Sequence, residues 1–136
     1  MKHEKDSDRV AVIYIEDEQG RVMMGKRNDS GKWANPGGHI EKGEDPYQGA
    51  VRELWEETRL VPKSIKMRAV KWLQDKNMLL YVFDVRCESY NSDASKDPDK
   101  ECNSWEFVDL IDIVDELDVP LEYNAVVRYH LRDVEI

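Results

Sequence analysis

The chain has 136 residues, of which 40% are hydrophobic and 36% are charged, and its formal net charge is −9. This length and apolar content suit one domain, which we place at 1–136, and they exclude a wholly disordered chain. The acidic balance disfavours long nucleic acids and anionic membranes as partners. It still permits a small phosphate-bearing ligand to bind if metal cations lie between protein and ligand.

The N-terminus and the cysteines indicate a cytoplasmic protein. Residues 1–6 are polar and lack the apolar segment of a signal peptide, and no apolar run is long enough to cross a membrane. Cys87 and Cys102 lack the short spacing of a metal motif, so reduced thiols are expected, with a disulfide as the alternative. The sequence leaves open whether the protein is a monomer or a homodimer.

The first third of the chain predicts short strands separated by turns. Apolar, β-rich residues at 10–15 predict a buried strand. A turn at 17–20 precedes a returning strand at 21–24. A further short strand is expected at 33–35, where Pro36-Gly37-Gly38 ends it.

A helix is expected from Pro46 to about Thr58. Pro46 suits the first helical turn, and the acidic residues Glu44 and Asp45 lie at the positive end of the helix dipole. Helical periodicity then places one group of side chains on a stripe that faces the core: Tyr47, Ala50, Val51, Leu54 and Thr58.

The second half of the chain predicts an alternation of strands, loops and helices. In chain order these are a strand at 64–73, a turn at 74–77, a strand at 78–86, a long loop at 88–100, a short strand at 105–108, a short helix at 109–117 and a helix at 121–131. Helices before and after the later strands predict an α/β (α+β) fold in which a sheet lies between helices, an α/β/α arrangement.

Three carboxylates mark the predicted helix at 46–58. The spacing of Glu53, Glu56 and Glu57 places them on one face, where like charges repel each other unless a cation compensates them. Carboxylate oxygens are the ligands that Mg²⁺ and Mn²⁺ prefer. Arg52 can pair with Glu56 one turn later, and Gly49 lies one turn before Glu53, where it would clear space above a metal. The alternative is a solvated helix face.

The span from Gly38 to Leu60 resembles the signature of the Nudix hydrolases. That signature reads Gly, five residues, Glu, seven residues, Arg-Glu-apolar, one residue, Glu-Glu, one residue, Gly-apolar, and eight of its nine fixed positions match here. The matching residues are Gly38, Glu44, Arg52, Glu53, Leu54, Glu56, Glu57 and Leu60. The ninth is Arg59 in place of glycine, so Arg59 either adopts a left-handed conformation or ends the helix differently.

The resemblance implies a fold, a metal and a set of roles. The family fold is a mixed sheet between helices. By the same resemblance Glu53, Glu56 and Glu57 bind a divalent metal, Mg²⁺ or else Mn²⁺, with help from the carbonyl of Gly37. Arg52 would orient a glutamate, with Glu44 supporting it. Water would attack phosphorus with the assistance of the metal.

Six residues are further candidates. Family members often add a carboxylate from a loop before a late strand, and Glu101 is the candidate, with Asp97 and Asp99 as weaker ones. Gly38 is a candidate for contact with the substrate. His39 is a candidate for acid–base work or contact with phosphate, and an exposed surface histidine is the alternative. Asn124, near the start of the last predicted helix, resembles a base-reading asparagine of MutT-like members, and a helix-start asparagine is the alternative.

The motif selects the bond that is cleaved and leaves the rest of the substrate open. Length and layout resemble MutT-type enzymes, which convert a nucleoside triphosphate into a monophosphate and pyrophosphate. The alternatives are hydrolysis of ADP-ribose or a dinucleoside polyphosphate, a nucleotide sensor without catalysis, and processing of RNA caps, which the acidic charge disfavours.

Overall fold

The protein is described here from a computed structural model, which describes residues 8–97 and 101–118. In chain order its strands and α-helices are β1 (Asp8–Ile15), β2 (Val22–Lys26), β3 (Trp33–Ala34), β4 (Gly37–His39), α1 (Pro46–Thr58), β5 (Pro62–Leu73), β6 (Met78–Cys87), β7 (Glu106–Val108) and α2 (Leu110–Ile113). Three 3₁₀ turns, at Gln74–Lys76, Ala94–Lys96 and Val114–Glu116, complete the described elements. No helix among these residues has the length and apolar character to cross a bilayer.

The strands form two sheets. The larger has the order β4-β1-β6-β5, in which β1 and β6 run parallel and the other neighbours are antiparallel. The smaller is antiparallel, with the order β3-β2-β7. The result is a mixed α+β architecture, as the sequence predicts.

The core has two parts, one on each face of the larger sheet. Alternate residues of β1 divide between them: Ile13 and Ile15 belong to the part that includes Ala50 and Leu54 of α1. Val12 and Tyr14 belong to the part covered by Leu110, Ile113 and Leu117. Helical residues therefore cover both faces of this sheet.

Helix α1 begins and ends through local interactions. The Asp45 side chain accepts a hydrogen bond from the backbone N–H of Gln48 at 3.0 Å, and the Gln48 side chain accepts one from Asp45 N–H at 3.0 Å, with Pro46 in the first turn. At the other end Arg59 has φ 62° and ψ 19°, and its N–H donates to Trp55 O at 2.9 Å. The left-handed conformation expected as one alternative is therefore the observed one, at a cost of about 1 kcal/mol relative to glycine.

The buried face of α1 differs from the predicted stripe. Tyr47 and Val51 are 41% and 38% exposed, so the predicted stripe is wrong at these two positions. The helix is rotated so that the acidic side contributes to the buried face, whose residues are Gly49, Ala50, Leu54, Glu57 and Thr58.

Two other differences concern strands. The returning strand begins at Val22 and pairs with β3 and β7, and only an isolated bridge from Val22 to Glu16 joins it to the end of β1. The segment Gly37–His39, expected to stop a strand, is itself strand β4, paired with Val10–Val12. The helix predicted at 121–131 lies outside the described residues.

Candidate active site

Arg52 gathers three glutamates around one guanidinium. Its Nε and Nη2 donate to the two carboxylate oxygens of Glu44 at 2.7 and 3.0 Å. Its Nη1 donates to Glu53 at 3.0 Å and to Glu56 at 3.3 Å. Nη2 also donates to the carbonyl of His39 at 2.9 Å, which ties α1 to β4. The expected pairing of Arg52 with Glu56 is present as one contact of this larger network.

The loop before α1 is built around the same network. Glu44 accepts a hydrogen bond from Glu41 N–H at 2.8 Å, and Arg9 donates to the carbonyls of Glu41 and Glu44, each at 3.0 Å. The Arg52 guanidinium lowers the pKa of the Glu44 carboxyl through their hydrogen bonds. Glu44 is therefore held ionised and fixed in position.

Glu57 lies apart from this network and is nearly buried, with 6% of its surface exposed. Its Oε1 accepts a hydrogen bond from Gly37 N–H at 2.9 Å. Burial is the main cause that raises the pKa of Glu57 to about 9, and the charge of Glu53 adds to it. An ionised carboxylate at this place requires a compensating cation.

Glycine is required at Gly37, and at Gly38 it leaves room for the Glu53 carboxylate. Gly37 has φ +141°, and a Cβ there would lie 2.0 Å from the carbonyl oxygen of Ala11 on the neighbouring strand. A Cβ on Gly38 would lie 2.6 Å from Oε1 of Glu53. The two glycines thus let β4 approach β1 on one side and the Glu53 carboxylate on the other.

Two carboxylates outside α1 lie in the same electrostatic neighbourhood. The charges of Glu101 and Asp97 both contribute to raising the pKa of Glu57. Glu101 is paired with Arg27 at 3.4 Å with its side chain 43% exposed, whereas Asp97 is 3% exposed. The sequence favours Glu101 over Asp97 as an additional carboxylate of the site. The burial of Asp97 makes it a comparable candidate. Trp105 fixes this region to α1 by donating from Nε1 to the carbonyl of Glu57 at 3.2 Å.

The remaining candidates have different surroundings. The imidazole of His39 is 67% exposed and lies 3.8 Å from Asp8, while its backbone carbonyl belongs to the Arg52 network. Gly49 packs against Ile40, since a Cβ there would lie 2.9 Å from Ile40 Cγ1. Space above a metal is therefore not what Gly49 provides. Asn124 lies outside the described residues.

A cavity of about 250 Å³ opens beside Gly37 and Gly38. Its lining combines apolar strand residues with a few polar groups, a mixture typical of small-molecule sites. The polar side chains among the described lining residues are Arg27, Asn35, His39, Lys76, Glu101 and Asp118.

The donor chemistry of the site fits a divalent cation. Among residues 8–97 and 101–118, no three His, Cys, Asp or Glu side chains are already arranged as a metal cluster. Two of the three motif glutamates instead contact Arg52, and Glu57 accepts from Gly37 N–H. The arrangement nevertheless supplies hard oxygen ligands and one buried carboxyl, Glu57, that ionises only with difficulty. Glu53, Glu56 and Glu57 are the residues that would hold a divalent cation.

Comparison with known families and proteins agrees with this geometry. The family model described as NUDIX domain matches residues 6–129. An RNA pyrophosphohydrolase of Roseobacter denitrificans is 45% identical over 53 residues, which are 38% of this chain and 33% of that protein. The chain thus spans about a third of the length of this relative. The phosphatase NudJ of Escherichia coli is 28% identical over 125 residues, which are 88% of this chain and 82% of that protein.

A solved structure supports the fold. The MutT protein of Methanosarcina mazei superposes with a TM-score of 0.68 at 24% identity, covering 99% of this chain and all of that one. At this level of identity the likeness concerns the fold alone, and the mixed sheets with helices described above are what the two proteins share.

Proposed function

This chain belongs to the Nudix domain family, and on that premise we propose that it is a hydrolase that cleaves a pyrophosphate bond in a nucleoside diphosphate linked to another group. The observation that carries the proposal is the gathering of Glu44, Glu53 and Glu56 by Arg52, one turn from the buried Glu57. A solvated helix face would not bring three glutamates to one arginine and bury a fourth against strand β4.

Mg²⁺, with Mn²⁺ as a substitute, is the proposed cofactor, held by Glu53, Glu56, Glu57 and the Gly37 carbonyl. When bound, such a cation neutralises phosphate charge and favours attack by water. Arg52 holds Glu53 and Glu56 in position, and Glu44 fixes Arg52 through two hydrogen bonds. In the overall reaction the oxygen of one water bonds to one phosphorus of a P–O–P bridge, the bond from that phosphorus to the bridging oxygen breaks, and the two phosphorus atoms of the bridge leave in different products.

A nucleoside triphosphate is the proposed substrate, with a nucleoside monophosphate and pyrophosphate as products. The cavity of about 250 Å³ is smaller than the ~300–1,000 Å³ of typical whole-ligand pockets, so it suits one part of a nucleotide, such as the base. Gly38 and His39 line this cavity, which supports them as contacts of the substrate phosphates. Asn124 is retained as a proposed base contact, and Glu101 as a proposed additional carboxylate.

A nucleotide panel tests the proposal. The full chain is incubated with Mg²⁺ or with EDTA and with nucleoside triphosphates, ADP-ribose, dinucleoside polyphosphates and an RNA bearing a 5′-triphosphate, and products are separated by chromatography. We expect monophosphate and pyrophosphate from a triphosphate in Mg²⁺ only. AMP plus a sugar phosphate or a nucleotide identifies the alternative substrates. Binding without turnover, with Mn²⁺ also tried, identifies a sensor and contradicts the proposal.

Two variants control the assay. Glu57→Gln keeps the size of the side chain and removes its charge, and it should lose orders of magnitude in rate. Glu88→Gln makes the same chemical change at an exposed loop residue and should retain wild-type turnover. Equal activity of the two variants would show that the metal assignment is wrong.

A further inference from the structure

Arg59 stands where the family signature has glycine, and its side chain makes contacts that a glycine could not. The guanidinium carbon lies 5.1 Å from the centroid of the Trp55 ring, within the range of a cation–π interaction. Nη2 donates a hydrogen bond to the carbonyl of Lys96 at 2.7 Å. Nε is buried without a hydrogen-bond partner among the described residues, so Nη2 provides the polar anchor.

The segment that Arg59 reaches is a compact turn with a second attachment to α1. Asp93 N–H donates to the carbonyl of Thr58 at 2.9 Å. Within the turn, the Asp93 side chain accepts from Ser95 N–H at 2.9 Å, and Asp97 N–H donates to the carbonyl of Ala94 at 3.2 Å. The 93–97 turn is therefore attached at its start through Thr58 and near its end through Arg59.

Asp97 follows directly on the second attachment and is 3% exposed. The turn lies against the end of α1 that carries Glu57, because Asp93 N–H donates to the carbonyl of Thr58, the residue that follows Glu57. Asp97 is therefore a buried oxygen donor whose placement depends on the 93–97 turn.

We propose that Arg59 is a positioning residue that clamps the 93–97 turn against the end of α1 and thereby fixes Asp97 beside the glutamate site. The part concerning the site rests on the proposed function, whereas the clamp itself does not. The substitution of glycine by arginine in the signature then has a physical role: the left-handed backbone is retained, and the side chain adds the clamp.

Amide hydrogen exchange on the full, metal-free chain tests the clamp. In Arg59→Gly the backbone conformation stays favourable, so folding is retained, while the amides of Asp93 and Asp97 should exchange at least about tenfold faster, as the loss of a charge-assisted hydrogen bond implies. Arg59→Lys keeps a charged donor and should exchange at intermediate rates. Asn77→Gly is the matched control, since it replaces another non-glycine left-handed residue, φ 51°, in the β5–β6 turn. It should leave exchange at 93–97 unchanged.

Binding of Mn²⁺ by calorimetry tests the consequence for the site. Arg59→Gly should bind Mn²⁺ several-fold more weakly, Arg59→Lys should recover part of the affinity, and Asn77→Gly should match the wild type. If the amides of Asp93 and Asp97 exchange at the wild-type rate in Arg59→Gly, the clamp is overturned, whatever the hydrolytic activity of the variant. Faster exchange with unchanged Mn²⁺ affinity overturns the link to the site. A wild type that binds no Mn²⁺ and hydrolyses no nucleotide contradicts the proposed function, while the exchange comparison still decides the clamp.

Discussion

The buried carboxyl of Glu57 makes the stability of the metal-free protein depend on pH in a predictable direction. Burial raises the pKa of Glu57 to about 9 in the folded chain, against an ordinary value of 4.5. Below pH 4.5 both the folded and the unfolded chain hold the proton. Between these two values the unfolded chain releases the proton and the folded chain retains it, so the free energy of unfolding falls as pH rises. Above about pH 9 both forms are ionised and the loss is complete.

The substitution Glu57→Gln isolates this contribution. Glutamine is close in size, can still accept the hydrogen bond from Gly37 N–H at 2.9 Å, and does not titrate. A single group with this raised pKa changes stability by at most 1.36 kcal/mol per pH unit, which gives up to about 4 kcal/mol between pH 5 and pH 8. All other titrating groups are common to both proteins, so they cancel in the difference between variant and wild type.

Urea unfolding in EDTA at several pH values measures this difference. We expect Glu57→Gln to match the wild type near pH 5 and to become progressively more stable than it towards pH 8. Mg²⁺ at pH 8 should raise the free energy of unfolding of the wild type by about 2.7 kcal/mol when the Mg²⁺ concentration is one hundred times the dissociation constant. The same Mg²⁺ concentration should stabilise the variant much less. If the free energy of unfolding of the variant exceeds that of the wild type by the same amount at pH 5.5 and at pH 8, the pKa of Glu57 is not raised in the folded protein. Glu88→Gln, at an exposed position, serves as the control.

Three further predictions concern the network around the glutamates. Arg52→Lys keeps the charge and loses the paired hydrogen bonds, and steady-state kinetics should show kcat/KM lower by about 10²-fold. Gly38→Ala should lower kcat by about 10²-fold with little loss of stability, because the new Cβ displaces a flexible carboxylate. Asp97→Asn should weaken Mn²⁺ binding by about tenfold, measured by calorimetry, and by more than Glu101→Gln does.

Helix α1 could be predicted from the sequence almost to the residue, because its limits depend on local interactions. The Asp45 cap and Pro46 act within one turn, and Arg59 ends the helix through a bond to Trp55 four residues earlier. The match to the family signature likewise needs only the order of residues from Gly38 to Leu60. The positions of Arg52 and its glutamate partners follow from that order.

Features that depend on distant contacts could not be predicted in the same way. Strand β4 consists of Gly37, Gly38 and His39, residues with little intrinsic preference for strands, and it forms because β1 supplies the pairing. Strand β2 pairs with β7, more than eighty residues later in the chain, and that pairing leaves no local signal. The sequence did predict a carboxylate donor on the later loop, but the burial of Asp97 depends on contacts with the end of α1.

The charge balance of the site would let the proposed ligands Glu53 and Glu56 exchange a contact with arginine for a contact with a metal. Arg52 has two anchors that do not involve the proposed ligands Glu53 and Glu56: the paired bonds to Glu44 and the bond to the carbonyl of His39. Its contacts with Glu53 and Glu56, at 3.0 and 3.3 Å, are longer than the 2.7 Å contact with Glu44. One guanidinium cannot neutralise three carboxylates, so negative charge remains around a fixed cation. A divalent ion would add the missing charge while Arg52 keeps its place. We therefore expect Arg52→Lys, which lacks the paired bonds, to lose both the order of the site and its affinity for the ion.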